Sequence, residues 1–100
     1  MSWPISNYLR INSSKDTFET IANLLIDEVR SETTYSKFWP APVGLSERED
    51  YEWRMENYHC TKGIYASVER AEQTIWFVTN FDPANLVIER LSKLFHLWIR

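Results

Sequence analysis

The order in which two hydrophobic periods follow one another constrains this chain more than any motif in it. Residues 5–11 alternate, with Ile5, Asn7, Leu9 and Ile11 on one side and Ser6, Tyr8 and Arg10 on the other, the period of a half-buried strand. Past the turn residues Asn12-Ser13-Ser14 the period lengthens. Phe18, Ile21, Ala22, Leu25 and Val29 recur at helical spacing, and Asp16 with Glu19 has the spacing of a capping box. A first helix is predicted over residues 17–31, with Leu24-Leu25-Ile26 in its core-facing stripe. Alternation returns in residues 64–68 and is followed by TIWFVT at 74–79, a strongly β-prone run. The link 69–73 makes these two a hairpin, though without an Asn-Gly type of turn signal. Asp82-Pro83 fits the cap and first position of a last helix, with Val87, Leu91 and Leu94 buried and Ile88 and Phe95 flanking them. Residues 96–100, HLWIR, alternate once more.

Between the first helix and the second strand the periodicity stops. Phe38-Trp39-Pro40-Ala41-Pro42 is too stiff and too short of N–H donors for a central strand or a helix interior. Ser46 with Glu49 is a second capping box, and Glu47, Glu49 and Asp50 in the first turn suit the helix dipole. Along this helix Tyr51, Met55 and Tyr58 share a face and Trp53 points elsewhere; Gly63 then releases the backbone. The order β-α-(loop and helix)-β-β-α-β is an α+β arrangement, the split βαβ pattern of a ferredoxin-like sandwich. Two helices would cover one face of an antiparallel sheet ordered 4-1-3-2, in a single domain over 1–100 with a helix-containing insert at about 33–62.

One hundred residues are enough for one core and too few for two. Aromatic residues make up 15% of them, with five tryptophans, more large rings than so small an interior can hide, so some are expected on a contact surface. A net charge of −3 argues against a generic nucleic-acid binder, because phosphate contact needs a positive field. The single cysteine, Cys60, excludes an intramolecular disulfide and suits a reducing compartment. With no signal-peptide pattern at the start and no window of eighteen apolar residues, a soluble, cytoplasmic protein is expected, with no membrane partner.

Tyr51 to Val68 concentrates the reactive residue types. His59-Cys60 followed by Lys62 could activate a thiol, but chain neighbours rarely point at each other and no third group orients them. His59, Cys60 and His96 match no metal-ligand spacing, and Gly44 and Gly63 are too isolated to cradle phosphate, so no metal and no cofactor is expected. Glu47, Glu49, Asp50, Glu52 and Glu56 form an acidic helix face, interrupted by Arg48 and Arg54. On the sheet, Leu9, Ile64, Ala66, Val68, Phe77, Leu97 and Ile99 are expected to face the helices. Tyr8, Arg10, Tyr65, Trp76, Trp98 and Arg100 then lie on the other side as a stacking platform for single-stranded nucleic acid. The alternative is that the insert, with Phe38, Trp39, Tyr51 and Trp53, folds back and buries that platform.

Several short stretches, in order, carry a family likeness: Ser6-Asn7-x-Leu9-x-Ile11, Tyr51-x-Trp53, Glu56-Asn57-Tyr58 with Thr61-Lys62, Phe77-x-Thr79-x-Phe81-x-Pro83, and Leu91-Ser92-Lys93-Leu94-Phe95. Together they resemble the YubB-like or Api-type ferredoxin-like family of phages and plasmids, across nearly the whole chain. The family's Asn-Trp-Gly-Thr-Lys-Trp signature stands here as Asn57-Tyr58-His59-Cys60-Thr61-Lys62-Gly63, and its Thr-Ala-Trp as Thr79-Asn80-Phe81. The resemblance implies the ferredoxin-like fold and an accessory gene of a mobile element, with no catalytic residues to carry over. The function expected is therefore non-enzymatic: binding to a host protein or protein complex, as an inhibitor of an antiviral defence system of the CRISPR-Cas kind. The expected contact residues are Trp39, Glu49, Asp50, Tyr51, Glu52, Trp53, Glu56 and Tyr58, rings edged by charge as interface hot spots are. Nucleic acid is the second partner class, and the free edge of the last strand is a route to a homodimer.

Overall fold

The computed structural model describes residues 4–95 and shows an α+β domain. Its sheet is built on the TIWFVT segment, β5 (Thr74–Thr79), which pairs antiparallel with β1 (Ile5–Arg10) on one side and with β4 (Ile64–Glu69) on the other. The sheet order is thus β1-β5-β4. Ile75 and Phe77 point inward from the central strand and are fully buried, and Leu9 from β1 joins them. The fourth strand expected at 96–100, with Leu97 and Ile99 on its inner side, lies outside the described residues.

Two helices cover the inner face. In α1 (Lys15–Leu25), Phe18, Ile21, Ala22 and Leu25 are buried, and in α3 (Asn85–Phe95), Val87 and Leu91 are. Leu94, expected in the same stripe, is 55% exposed, because the buried face of α3 advances by four residues from Val87 to Leu91 and on to the half-buried Phe95. The cap of α1 is Ser14 and not Asp16: its hydroxyl accepts the Thr17 N–H at 3.2 Å, which leaves Asp16 in the first turn where the helix dipole favours an acid. Likewise α3 begins two residues beyond the expected Asp82-Pro83 start. The carboxamide oxygen of buried Asn7 accepts the Ala84 N–H at 2.9 Å, and its nitrogen donates to Thr79 Oγ1 at 3.0 Å. That buried amide fixes where the chain leaves β5 and turns into α3.

The helix predicted to reach residue 31 stops at Leu25. Ile26 is extended, and β2 (Ile26–Asp27) turns back on β3 (Glu32–Thr33). The Asp27 carboxylate accepts the N–H groups of Val29 and Arg30 at 3.1 and 3.2 Å, so an Asx turn outcompetes another helical turn and Val29 is left 97% exposed. This small hairpin then docks on the outer edge of β4. Thr33 N–H donates to the Gly63 carbonyl at 3.0 Å and Ala66 N–H to the Ser31 carbonyl at 2.9 Å, which blunts an edge that would otherwise offer itself to another chain. Thr34 and Lys37, in the stretch that has no sequence period, donate to the carbonyls of Leu24, Leu25 and Asn23 at the end of α1.

The second helix, α2 (Glu47–Tyr58), opens with the expected capping box between Ser46 and Glu49. Its C-terminal residue in the left-handed region is His59, at φ 62°, rather than the glycine that would do so without strain. Gly63 serves a different need. A Cβ there would stand 2.5 Å from both Phe77 and Thr33, so the hairpin can reach β4 only over a residue with no side chain.

Candidate interaction face

The rings of the insert face inward. Tyr58 is 2% exposed and stands edge-on to Tyr35, Trp39 and Trp53 at centroid distances of 5.1, 5.1 and 5.3 Å. Its hydroxyl donates to the Trp39 carbonyl, and desolvation raises its pKa; the same cause raises that of Tyr35. Trp39 and Trp53 are half-buried, 6.2 Å apart, and Arg90 of α3 lies 4.5 Å over the Trp39 ring. Tyr58 therefore belongs to the core and not to a contact surface, and Trp39 and Trp53 hold the insert against α3. Tyr58 and Tyr51, placed on one helix face by their spacing, separate: Tyr51 is 55% exposed. Of the acidic residues, Asp50 pairs with Arg54 at 2.8 Å and Glu52 with Arg48 at 3.1 Å, and Glu49 is engaged in the capping box. Glu56 is exposed and has no ion-pair partner among the described residues.

His59 and Cys60 diverge. His59 is exposed at the helix end, while Cys60 is 1% exposed with its sulfur 3.9 Å from the Tyr35 hydroxyl. Burial pushes the Cys60 thiol up to about 11, against the opposing pull of the Tyr35 hydrogen bond, so the nucleophilic thiolate is suppressed. Among the described residues no group of His, Cys, Asp and Glu is placed to hold a metal ion.

The outer face of the sheet is open at Tyr8, while Trp76 and Ile64 on it are half-buried and Val78 is buried. The register sets Tyr8 beside Trp76 and Trp76 beside Ser67, and sets Arg10 beside Thr74 and Thr74 beside Glu69. Tyr8 is 69% exposed, with its ring 6.3 Å from that of Trp76 and tilted at 52°. The insert does not fold over these rings; it packs against α3 and the core instead. One side chain changes sides. The β4–β5 register shifts between Ile64 and Ser67, and Tyr65 takes φ 53° in the resulting bulge. Ile64 consequently pairs with Val78 on the outer face, while Ala66 and Val68 keep the inward direction expected for all three. Tyr65 is left 69% exposed on the bulge. Trp98 and Arg100, expected on the same face, lie outside the described residues.

Two grooves flank this face. A larger one, about 1030 Å³, runs between the start of α1 and the β4–β5 turn, lined by residues including Arg10, Lys15 and Arg70. Arg70 is not free there. It bridges Glu19 at 2.7 Å and Glu28, whose carboxyl it holds below the usual range through its hydrogen bond. The smaller groove, about 410 Å³, lies on the sheet face itself, between Tyr8 and Trp76 on one side and Glu69 and Glu72 on the other. No helix among the described residues is long and apolar enough to cross a membrane. No family model, no curated protein and no solved structure matches this chain.

Proposed function

We propose that this chain is a non-enzymatic binding protein acting by protein–protein contact, and that the surface it uses is the outer face of its sheet. One observation carries the reading: Tyr8, 69% exposed, stands beside the half-buried Trp76 on the side of the sheet away from α1 and α3. Exposed tyrosine and tryptophan on a rigid strand are what contact surfaces select, because large rings with few rotors lose little entropy on binding. The insert turns Tyr35, Trp39, Trp53 and Tyr58 inward, and its exposed Tyr51 and Glu56 lie on α2, which packs against α3 and not over this face. We also propose the ferredoxin-like sandwich as the complete architecture, supported by the antiparallel order β1-β5-β4 with α1 and α3 on one face. The accessory role on a phage or plasmid, and inhibition of a host antiviral defence, rest on the resemblance to the YubB-like family.

The test is capture of partners from host lysate on tagged protein, with and without nuclease. A single protein that survives nuclease, is lost with Tyr8→Ala and is kept with Tyr51→Ala is the expected result. Retention by Tyr8→Ala would move the site away from the sheet. Loss of every partner on nuclease treatment would replace the reading with single-strand nucleic-acid binding on the same rings.

A further inference from the structure

We propose that the groove beside Tyr8 and Trp76 receives a lysine or arginine side chain from a basic segment of the partner. This rests on the reading above and gives the partner a chemistry. Six residues line the groove: Tyr8, Ser67, Glu69, Glu72, Thr74 and Trp76. They include two aromatic rings, two carboxylates, two hydroxyls and no cation. Half of the chain's fourteen acids, Glu19, Asp27, Glu28, Glu32, Asp50, Glu52 and Glu89, each meet a lysine or arginine, while Asp16, Glu47, Glu49, Glu56 and Asp82 stand singly among the described residues, away from any ring-lined groove. Glu69 and Glu72 meet none among the described residues. Glu69 spends one oxygen on the Ala71 N–H at 3.0 Å, which fixes its carboxylate at the groove wall and leaves the other oxygen available.

A cation in this position is attracted from both walls. The ring faces draw it by their quadrupole and the carboxylates by charge, and Ser67 and Thr74 offer hydroxyl oxygens to a guanidinium. A phosphate meets the opposite field. The cation closest to it in the register, Arg10, stands beside Thr74 at the end of the groove, two strands and about 9.6 Å at the usual strand spacing from Glu69, and lines the other groove. The rings alone would suit a base; the charges beside them select a basic peptide. One side chain in this groove makes only a small part of a stable interface, so affinity has to come from the wider face around it.

Titration of the isotope-labelled chain with acetylated, amidated hexa-arginine, followed by NMR, tests this, with hexaglutamate and a ten-nucleotide oligothymidylate as parallel arms. Hexa-arginine is expected to shift Tyr8, Ser67, Glu69 and Trp76. Its affinity is expected to fall about tenfold in Glu69→Gln/Glu72→Gln and about fivefold in Tyr8→Ala, the scale of exposed charge and cation–π contacts. Glu47→Gln/Glu56→Gln on α2 should leave it unchanged. No shift at these residues overturns the proposal. So does an equal loss in both double variants, which would mean attraction to the net charge alone, and so does tighter binding of the oligothymidylate. If hexa-arginine fails while Tyr8→Ala still abolishes partner capture, the sheet face remains the contact surface and only the cationic chemistry falls.

Discussion

Two groups of rings divide this molecule, and they differ in what stands behind them. Tyr35, Trp39, Trp53 and Tyr58 meet edge to face at 5.1 to 6.2 Å, with a tyrosine hydroxyl satisfied by a main-chain carbonyl and a guanidinium capping one indole. Tyr8 and Trp76 are 6.3 Å apart, with open groove on one side of them and solvent above. Composition is the same in both groups. The first has α3 and the core as a wall, whereas the second lies on the sheet face away from the helices. Rings become structure where two layers meet and become a surface where only one layer exists, so the two groups should answer mutation in opposite ways.

The largest contrast is expected at Tyr58. Tyr58→Ala empties a site that is 2% exposed and leaves the Trp39 carbonyl without its donor. Truncation of a buried aromatic costs about 3–5 kcal/mol. In a domain of this size that lowers the thermal midpoint by more than about 12 °C, at roughly 4–8 °C per kcal/mol. Tyr8→Ala should change the stability by less than about 0.5 kcal/mol. Circular dichroism melts of the two variants side by side decide the matter. A Tyr58→Ala melt within a few degrees of the parent would mean that the insert is not packed as described, and its rings would again be candidates for contact.

The next effect concerns the hairpin that closes the β4 edge. Gly63→Ala puts a methyl group 2.5 Å from Phe77 and Thr33, and both belong to packed elements with little room to retreat. Overpacking of this kind costs about 1–3 kcal/mol. Because β2 and β3 are held to β4 through Gly63, Thr33, Ala66 and Ser31, the cost should appear as local opening. Faster amide exchange at Thr33 and Ala66 than in β1 is the expected signature, and uniform loss across the sheet would contradict it.

Much of the inner architecture was legible because it follows from period alone. Asn7 and Leu9 in β1 with Ile11 just past its end, the β4–β5 hairpin, the Ser46–Glu49 capping box, and Val87 with Leu91 in α3 all stand where alternation or helical spacing put them. The departures come from contacts that period cannot express. Ile26 and Val29 extend the helical stripe, yet Asp27 turns the chain so that Thr33 can reach Gly63, thirty residues on. Ile64 fits an inward pattern until a single extra residue at Tyr65 reverses it. The rings of the site posed the same difficulty: Trp53 and Tyr58 match interface composition, and only the position of α3 assigns them to packing. Their one cue in sequence was the lack of any other apolar stripe on α2, which needs such rings to dock at all.

A small stability effect, and the most informative about the outer face, is expected at Tyr65. A tyrosine at φ 53° occupies the left-handed region at a cost of about 1–2 kcal/mol relative to an ordinary conformation, and its ring gains little in return at 69% exposure. Glycine takes the same φ without that penalty but weakens a strand by about 0.5–1 kcal/mol through backbone entropy. The two terms nearly offset, so Tyr65→Gly should leave the domain as stable as the parent or up to about 1 kcal/mol more stable. If Tyr65 is held in this strained position because a partner uses its ring, the same variant should lose partner capture while its melting temperature holds or rises. Stability kept and binding kept would make the bulge a means of joining β4 to β5 and nothing more, and would confine the contact surface to Tyr8, Trp76 and the acidic groove beside them.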